Sequence, residues 1–266
     1  MNSGETDDSV DPRQKTWNEF VRKANKLIDS GELEEQEVEY KLELGCEFAK
    51  ARISVLSDDN DWQDRLKDGL ANREGHPMTF YMRDDLGKWV DQSPSDALGA
   101  LKVLWKRGNS TVSERIRAFC SLLPDSVIHG LGTRIRLTSV LLMGLDVTLC
   151  PPFATETFKK AYSQTGYHPP GRNADEAELY EHALAFLDQL LEEARARGVH
   201  LRHRLDAQSV VWHWRRLPDN LPVLGLPIHM CKNEVETEND GDNWKEFVIR
   251  AEELINSPAF KKTRAR

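Results

Sequence analysis

Residues 175–198, DEAELYEHALAFLDQLLEEARARG, decide the fold class of this 266-residue chain. Apolar side chains recur there every three or four residues from Leu179 to Ala194, the spacing of one face of an α-helix. Asp175 and Glu178 form a D-x-x-E pattern related to the capping box of helix N-termini. The stretch therefore predicts an amphipathic helix of about six turns, whose apolar face must pack against other elements.

The same periodicity recurs along most of the chain, and alternating strand patterns are absent. We therefore predict an all-α fold with eight or nine helices: a multi-helix globular domain with short irregular segments, then a linker and a partial second helical repeat. MTFYM at 78–82 is the one stretch that suggests a short strand, although it has no obvious partner. Asp84 is the expected cap of the helix that follows it.

Composition divides the chain into four parts. Residues 1–14 are polar and acidic and are expected to be a disordered tail, and 15–216 are expected to form the helical module. Residues 217–242 contain three prolines and then a polar, acidic run, a composition typical of a linker. Residues 243–266 are expected to be the truncated start of a second copy of the first helix.

An internal repeat supports this division. WNEFVRKANKLIDS at 17–30 and WKEFVIRAEELINS at 244–257 share eight identical residues in fourteen positions without a gap. Matching apolar residues alone are compatible with two unrelated amphipathic helices, but the shared glutamate and serine, Glu19 and Ser30 in the first copy, favour a true repeat. Because one amphipathic helix is only marginally stable alone, the second copy predicts a chain interrupted at the beginning of a further domain.

The charge is unevenly distributed. The chain has 36 basic and 44 acidic residues, a net charge of −8, and residues 1–61 supply the whole excess with 8 basic and 16 acidic residues. Two segments are locally basic: 100–140 holds seven Lys and Arg against two acids, and 195–216 holds six Arg against one acid. These segments are predicted either to face phosphates or to form solvated helix faces and interhelical ion pairs. The second interpretation is favoured because the domain as a whole is not basic.

Targeting and membrane signals are absent from the sequence. No run of about 18 uncharged apolar residues occurs, and the acidic N-terminus lacks the features of a signal peptide. The four cysteines are widely spaced and form no CxxC pair. We therefore expect a cytoplasmic protein that does not contact a membrane.

Sequence motifs for chemistry are also missing. The chain contains no G-x-x-x-x-G-K-[ST], no G-x-S-x-G and no H-E-x-x-H. His200 and His203 are three residues apart, but without a nearby acidic third ligand they are expected on a basic surface rather than at a metal. We predict a protein that is not an enzyme and that needs no cofactor, metal or small molecule.

The motif HGLGTR at 129–134 precedes an apolar helix and resembles the hairpin of helix-hairpin-helix DNA-binding proteins, in which backbone N–H groups hold a phosphate. A tight turn that requires glycine is the alternative explanation. The downstream LLMGLDVTLCPPF is similar to the segment after the hairpin in base-excision glycosylases, but the catalytic aspartate of that family is missing. The tentative nucleic-acid-binding residues are Gly130, Gly132, Thr133, Arg134, Arg136, Arg202, Arg204, Arg215 and Arg216.

About 200 residues together resemble the N-terminal region of McrB-type AAA+ proteins of modification-dependent restriction systems. The motifs are W-x-E-F…E-x-E-Y-K-L-E-L-G (17–45), DW (61–62), GLGTRIRLTSVLLMGLD…PPF…FKKAY…TGYHPP (130–170) and DEAELYEHALAFLDQLLEEARARG…LRHRLDAQSVVW (175–212). The resemblance implies a module that precedes a AAA+ motor and recognises DNA, often modified DNA, while a separate nuclease cuts. The motor, its phosphate-binding loop and its Mg²⁺-binding acid are absent from this chain.

Three functional hypotheses follow. The leading one is a non-catalytic recognition or adaptor module of a McrB-like restriction protein, with double-stranded DNA as its candidate partner. The alternative is a protein–protein interaction module that docks a nuclease or a AAA+ motor, which the acidic N-terminal region favours. The third is a protein similar to helix-hairpin-helix DNA glycosylases.

Overall fold

A computed structural model describes residues 12–71, 75–106 and 108–214 of the chain. Within these ranges the secondary structure is entirely helical, so the all-α prediction is confirmed, with one or two helices more than expected. In chain order the elements are α1 (Pro12–Asp29), a π-helical segment (Glu34–Val38), α2 (Glu39–Ser57), α3 (Trp62–Leu70), α4 (Phe80–Gln92), α5 (Pro94–Trp105), α6 (Val112–Leu122), α7 (Leu131–Asp146), α8 (Thr155–Thr165), α9 (Glu176–Ala196) and α10 (Arg204–Trp214).

One hydrophobic core joins these helices, from Phe20 on α1 to Val211 on α10. Helix α2 is central and packs against α3, α5 and α7, while α9 packs against α6, α7 and α10. Helices α2 and α7 approach closely because each has a glycine at the crossing. A Cβ on Gly144 would lie 2.8 Å from the carbonyl oxygen of Phe48, and one on Gly45 would lie 3.1 Å from the Cβ of Val147.

The helix that decides the fold class begins as its sequence predicts. The Asp175 side chain accepts a hydrogen bond from the Glu178 backbone N–H at 2.8 Å, and the Glu178 carboxylate accepts one from the Asp175 N–H at 2.9 Å. This reciprocal pair is a complete capping box. The helix ends before Gly198, which has a φ of +76°, a conformation that favours glycine.

The short strand that MTFYM at 78–82 suggests does not form. Thr79 caps a helix instead, because its hydroxyl accepts a hydrogen bond from the Met82 N–H at 3.4 Å, and α4 begins at Phe80. Asp84 therefore lies inside α4 and is not its cap. A second feature is the π-helical segment, which directly precedes α2.

Several sequence predictions lie wholly or partly outside the described residues. These are most of the acidic tail 1–14, the linker 217–242 and the second repeat copy 243–266. Helix α1 begins at Pro12, so the last three residues assigned to the tail belong to it. No helix among the described residues has the length and apolarity needed to cross a membrane.

Candidate functional site

The predicted glycine turn lies at the N-terminus of α7. Gly130 is the N-cap residue, is exposed and has a φ of +76°, and no side chain caps this helix end. Gly132 packs against α8, since a Cβ on it would lie 2.8 Å from Thr155 Oγ1. Thr133 is exposed. The structure thus explains both glycines: Gly130 has a positive φ, and Gly132 packs too closely against α8 for a side chain.

Arg134 is directed into the protein. Its side chain is only 11% exposed, and its guanidinium forms ion pairs with Asp125 at 2.9 Å and Glu176 at 3.0 Å. It also donates to the carbonyl oxygens of Leu123, at 3.1 Å, and Cys120. This arginine joins the end of α6 to the starts of α7 and α9, and its donors are already used.

Arg136, one half-turn further along α7, has a different contact. Its Nε donates to the carbonyl oxygen of Pro77 at 2.6 Å, and its side chain is half-buried. The loop that leads into α4 is thereby held against α7. This bond places the predicted nucleic-acid-binding segment next to the stretch 78–82, where α4 begins.

The second basic segment also pairs with carboxylates. Arg202 contacts the buried Asp206 at 2.9 Å and Glu34 at 2.6 Å. These two carboxylates raise the pKa of Arg202 further above its usual range. Arg204 forms a two-point ion pair with Asp188, both N–O distances being 2.6 Å. Arg215 and Arg216 lie outside the described residues.

Arg134 and Arg204, one from each basic segment, contact different places along α9. Arg134 pairs with Glu176 at the start of α9, whereas Arg204 pairs with Asp188, twelve residues further along the same helix. That separation is about 18 Å along the helix axis. Interhelical ion pairing accounts for Arg134, Arg202 and Arg204, while phosphate binding by the predicted residues stays a prediction.

A buried polar network was missed by sequence reasoning. Lys41 on α2 is 1% exposed. Its ammonium donates to Glu37 Oε2 at 2.9 Å, Gln208 Oε1 at 2.9 Å and Ser209 Oγ at 3.1 Å. A lysine has three N–H donors and no acceptor, so all its hydrogen-bonding capacity is used. Lys41 is thus a fixed cation that joins α2 and the π-helical segment to α10.

Burial and charge shift the ionisation equilibria in this network. Burial lowers the pKa of Lys41, and the neighbouring Glu37 carboxylate opposes that shift. Burial and the Glu37 charge both raise the pKa of Tyr40. His213 Nε2 lies 3.4 Å from Glu37 Oε1. A signal for the network existed: Lys41 lies three residues from both Val38 and Leu44, on the apolar side of its helix.

A small cleft borders this network. Three helices and the loop before α4 meet there. Lys41 lines the cleft, but its three N–H groups already donate hydrogen bonds within the network. The side chains that line the cleft include Tyr40, Lys41, Pro77, Arg136, Gln208 and Trp212.

The most exposed apolar side chains of the described residues begin α4. Phe80 is 63% exposed and Tyr81 is 75% exposed. Their ring centroids are 5.8 Å apart in an edge-to-face arrangement, which is a preferred geometry for aromatic pairs. We call these two residues the aromatic surface. They follow Pro77 by three and four positions, so this surface adjoins the loop that Arg136 holds.

Two remaining points concern metal binding and similarity to known proteins. The described residues contain no group of three or more His, Cys, Asp and Glu side chains placed to hold a metal ion. His203 Nδ1 instead accepts a hydrogen bond from the Asp206 N–H at 3.3 Å. No protein-family model, no curated protein and no solved structure matches this chain, so the resemblance to McrB-type proteins stays a prediction.

Proposed function

We propose that this chain is a non-catalytic recognition module that docks a protein partner through the aromatic surface. The observation that carries the proposal is the exposure of Phe80 and Tyr81, 63% and 75%, at adjacent positions. Scattered single apolar residues are ordinary on protein surfaces, but paired exposed aromatic rings are typical of interaction sites. Tyrosine in particular is enriched among the residues that dominate binding energy.

The aromatic surface is rigidly supported. Met78 and Met82, on either side of it, are almost fully buried. The loop before it is fixed by the bond from Arg136 to the Pro77 carbonyl oxygen, and Thr79 caps the helix that presents the rings. A pre-organised surface loses little conformational entropy on binding, so this support favours a docking role.

The charge next to the rings indicates the chemistry of the partner. Asp84 and Asp85 follow Phe80 and Tyr81 by one helical turn on α4, on the same side of the helix. Asp84 pairs with Lys88 at 2.6 Å, so Asp85 supplies most of the negative charge beside the rings. The complementary partner is a protein segment with apolar side chains flanked by Lys or Arg. In the system that the resemblance implies, that partner is a AAA+ motor or nuclease subunit.

Duplex DNA is the second candidate partner. The observation that favours it is the exposed N-terminus of α7, which no side chain caps and which Thr133 borders. Backbone N–H groups at such an end can hold a phosphate. The ion pairs of Arg134, Arg202 and Arg204 reduce the positive charge that remains for DNA, and for this reason we rank protein docking first.

The aromatic surface can be tested with the full chain. The double variant Phe80→Ala/Tyr81→Ala should bind a partner identified from the native host, then purified, at least about tenfold more weakly, a loss of about 1.4 kcal/mol. Leu149→Ala is the matched control, because Leu149 is 53% exposed on another part of the surface. Equal affinity of the double variant and the control would overturn the proposal.

The DNA candidate needs a separate titration. Labelled duplexes, methylated and unmethylated, are titrated at low and moderate salt, where phosphate contacts give a salt-dependent affinity. Thr133→Glu places a negative charge at the start of α7, which is favourable for the helix but repels phosphate. Salt-dependent binding that Thr133→Glu abolishes, with melting unchanged, would make DNA the partner instead.

A further inference from the structure

The packing face of α1 is narrow and well defined. Phe20 and Ala24 are fully buried in the core, and Val21, Leu27 and Ile28 pack against that core. The opposite side of the helix is exposed at Asn18, Arg22, Lys26 and Asp29. The structure therefore separates the positions by which α1 fits the domain from those that face solvent.

The sequence of residues 244–257 matches that of α1 at the packing positions. The five packing positions are identical in the two copies, with Phe247, Val248, Ala251, Leu254 and Ile255 in the second. The four exposed positions of α1 listed above differ between the copies, whereas the exposed Ser30, directly after α1, is a serine in both. Two unrelated amphipathic helices would share apolar character, but they would not need the same residue at each packing position. The second copy thus carries the side chains that fit the position of α1.

The second copy can also reach that position within one molecule. The contact between His213, near the end of α10, and Glu37 measures 3.4 Å, and Glu37 follows the end of α1 by eight residues. Twenty-nine residues, 215–243, separate Trp214 from Trp244. A chain of this length spans up to about 100 Å when extended, whereas an 18-residue helix is about 27 Å long.

We propose that residues 244–257 are an alternative occupant of the α1 position in the same molecule, so that the chain exchanges one copy of the helix for the other. The exchange is intramolecular because a tethered segment has an effective concentration in the millimolar range. When 244–257 occupies the position, α1 is released and its apolar face becomes available to a partner. The inference does not depend on the aromatic surface.

The first test is amide hydrogen exchange on the full chain, with and without Ala251→Asp. Ala251 corresponds to Ala24, which is fully buried, so an aspartate there prevents the second copy from packing. With the competitor removed, exchange in residues 17–30 should become about tenfold slower than in the wild type. Unchanged exchange in 17–30 would overturn the proposal.

The second test uses Ala24→Asp, alone and with Ala251→Asp, and measures thermal melting over a range of protein concentrations. Ala24→Asp should melt cooperatively, because 244–257 replaces α1, and the double variant should melt at a clearly lower temperature. Lys26→Asp is the control: Lys26 is exposed and the second copy has Glu253 there. Additive effects of the two substitutions, or melting that depends on protein concentration, would contradict an intramolecular exchange.

Discussion

At the scale of single residues, the most consequential side chain is Lys41. It is a buried cation whose three donors are satisfied by groups from the π-helical segment and from α10. Such an ion contributes less to net stability than its contacts suggest, because burial of both charges is unfavourable. Removal of one partner is different, since it leaves the other charge buried without compensation.

Lys41→Met is therefore expected to lower the free energy of unfolding by about 3–5 kcal/mol, as measured by urea denaturation. Glu37, which is 6% exposed, would lose its ion pair with Lys41 and keep the 3.4 Å contact with His213 Nε2. Lys50→Met on the same helix is the control, because Lys50 is half-exposed in a surface pair with Glu47, and its loss should change stability by less than about 0.5 kcal/mol. A similar small effect of Lys41→Met would show that the network is not stabilising.

A second residue, His182, makes stability depend on pH. Its Nε2–H donates to the His168 carbonyl oxygen at 2.9 Å within a cluster of aromatic rings. Burial lowers the pKa of His182 below its ordinary value of 6.5. Below that value the unfolded chain binds a proton that the folded chain does not, so stability falls as the pH is lowered through 6.5 toward the lower folded pKa.

His182→Gln should flatten this dependence between pH 7.5 and 5.5, as followed by melting temperature. His203 has a pKa lowered by burial as well, so part of the slope should persist in the variant. The carboxylates with lowered pKa values, Asp61 and Asp175, act at more acidic pH. An identical slope in His182→Gln and the wild type would exclude this histidine as the source.

At the scale of helices, the crossing of α2 and α7 is a close contact that meets backbone atoms. Gly144→Ala would bring a methyl group to 2.8 Å from a backbone oxygen, which cannot move away as a side chain can. We expect destabilisation of about 1–3 kcal/mol in chemical denaturation. Gly99→Ala on α5 is the control: no atom lies within 4 Å of its added Cβ, so helix propensity should raise stability by about 0.5–1 kcal/mol.

The same scale shows what the sequence could predict. Helix α9 was predictable because its periodicity and its Asp175–Glu178 cap are local signals that agree. The Lys41 network was not predictable. Its partners Gln208 and Ser209 lie more than 160 residues away along the chain, and nothing in the sequence near Lys41 identifies them. Phe80 and Tyr81 suggested a strand, because aromatic residues favour β-structure. The Thr79 cap instead begins a helix at this point.

For the candidate site, composition identified the basic segments but not their partners. The pairing of Arg134 with Glu176, and of Arg204 with Asp188, depends on how α7 and α10 pack against α9. No spacing rule connects those residues before the fold is known. The sequence nevertheless favoured interhelical ion pairs for the basic segments, because the domain as a whole is not basic, and Arg202 pairs with Glu34 in this way.

At the scale of the whole molecule, the core is continuous, and α10 at its end is tied to the start of α2 by Lys41. A continuous core unfolds cooperatively. We therefore expect unfolding followed by far-UV circular dichroism and by tryptophan fluorescence to have the same midpoint, since helices throughout the core contribute to the first signal and the buried Trp62, Trp89 and Trp105 to the second.

Val211→Ala tests whether α10 belongs to this cooperative unit. Val211 is 1% exposed, and loss of its two methyl groups should cost about 2 kcal/mol. Because Trp212 and Trp214 lie on α10 itself, both midpoints are measured in a Trp212→Phe/Trp214→Phe background, in which Trp62, Trp89 and Trp105 on α3, α4 and α5 remain. If the unit is single, the variant shifts the fluorescence midpoint as much as the dichroism midpoint. A shift confined to dichroism would mean that α10 unfolds separately, and the Lys41 network would then not couple the two ends of the domain.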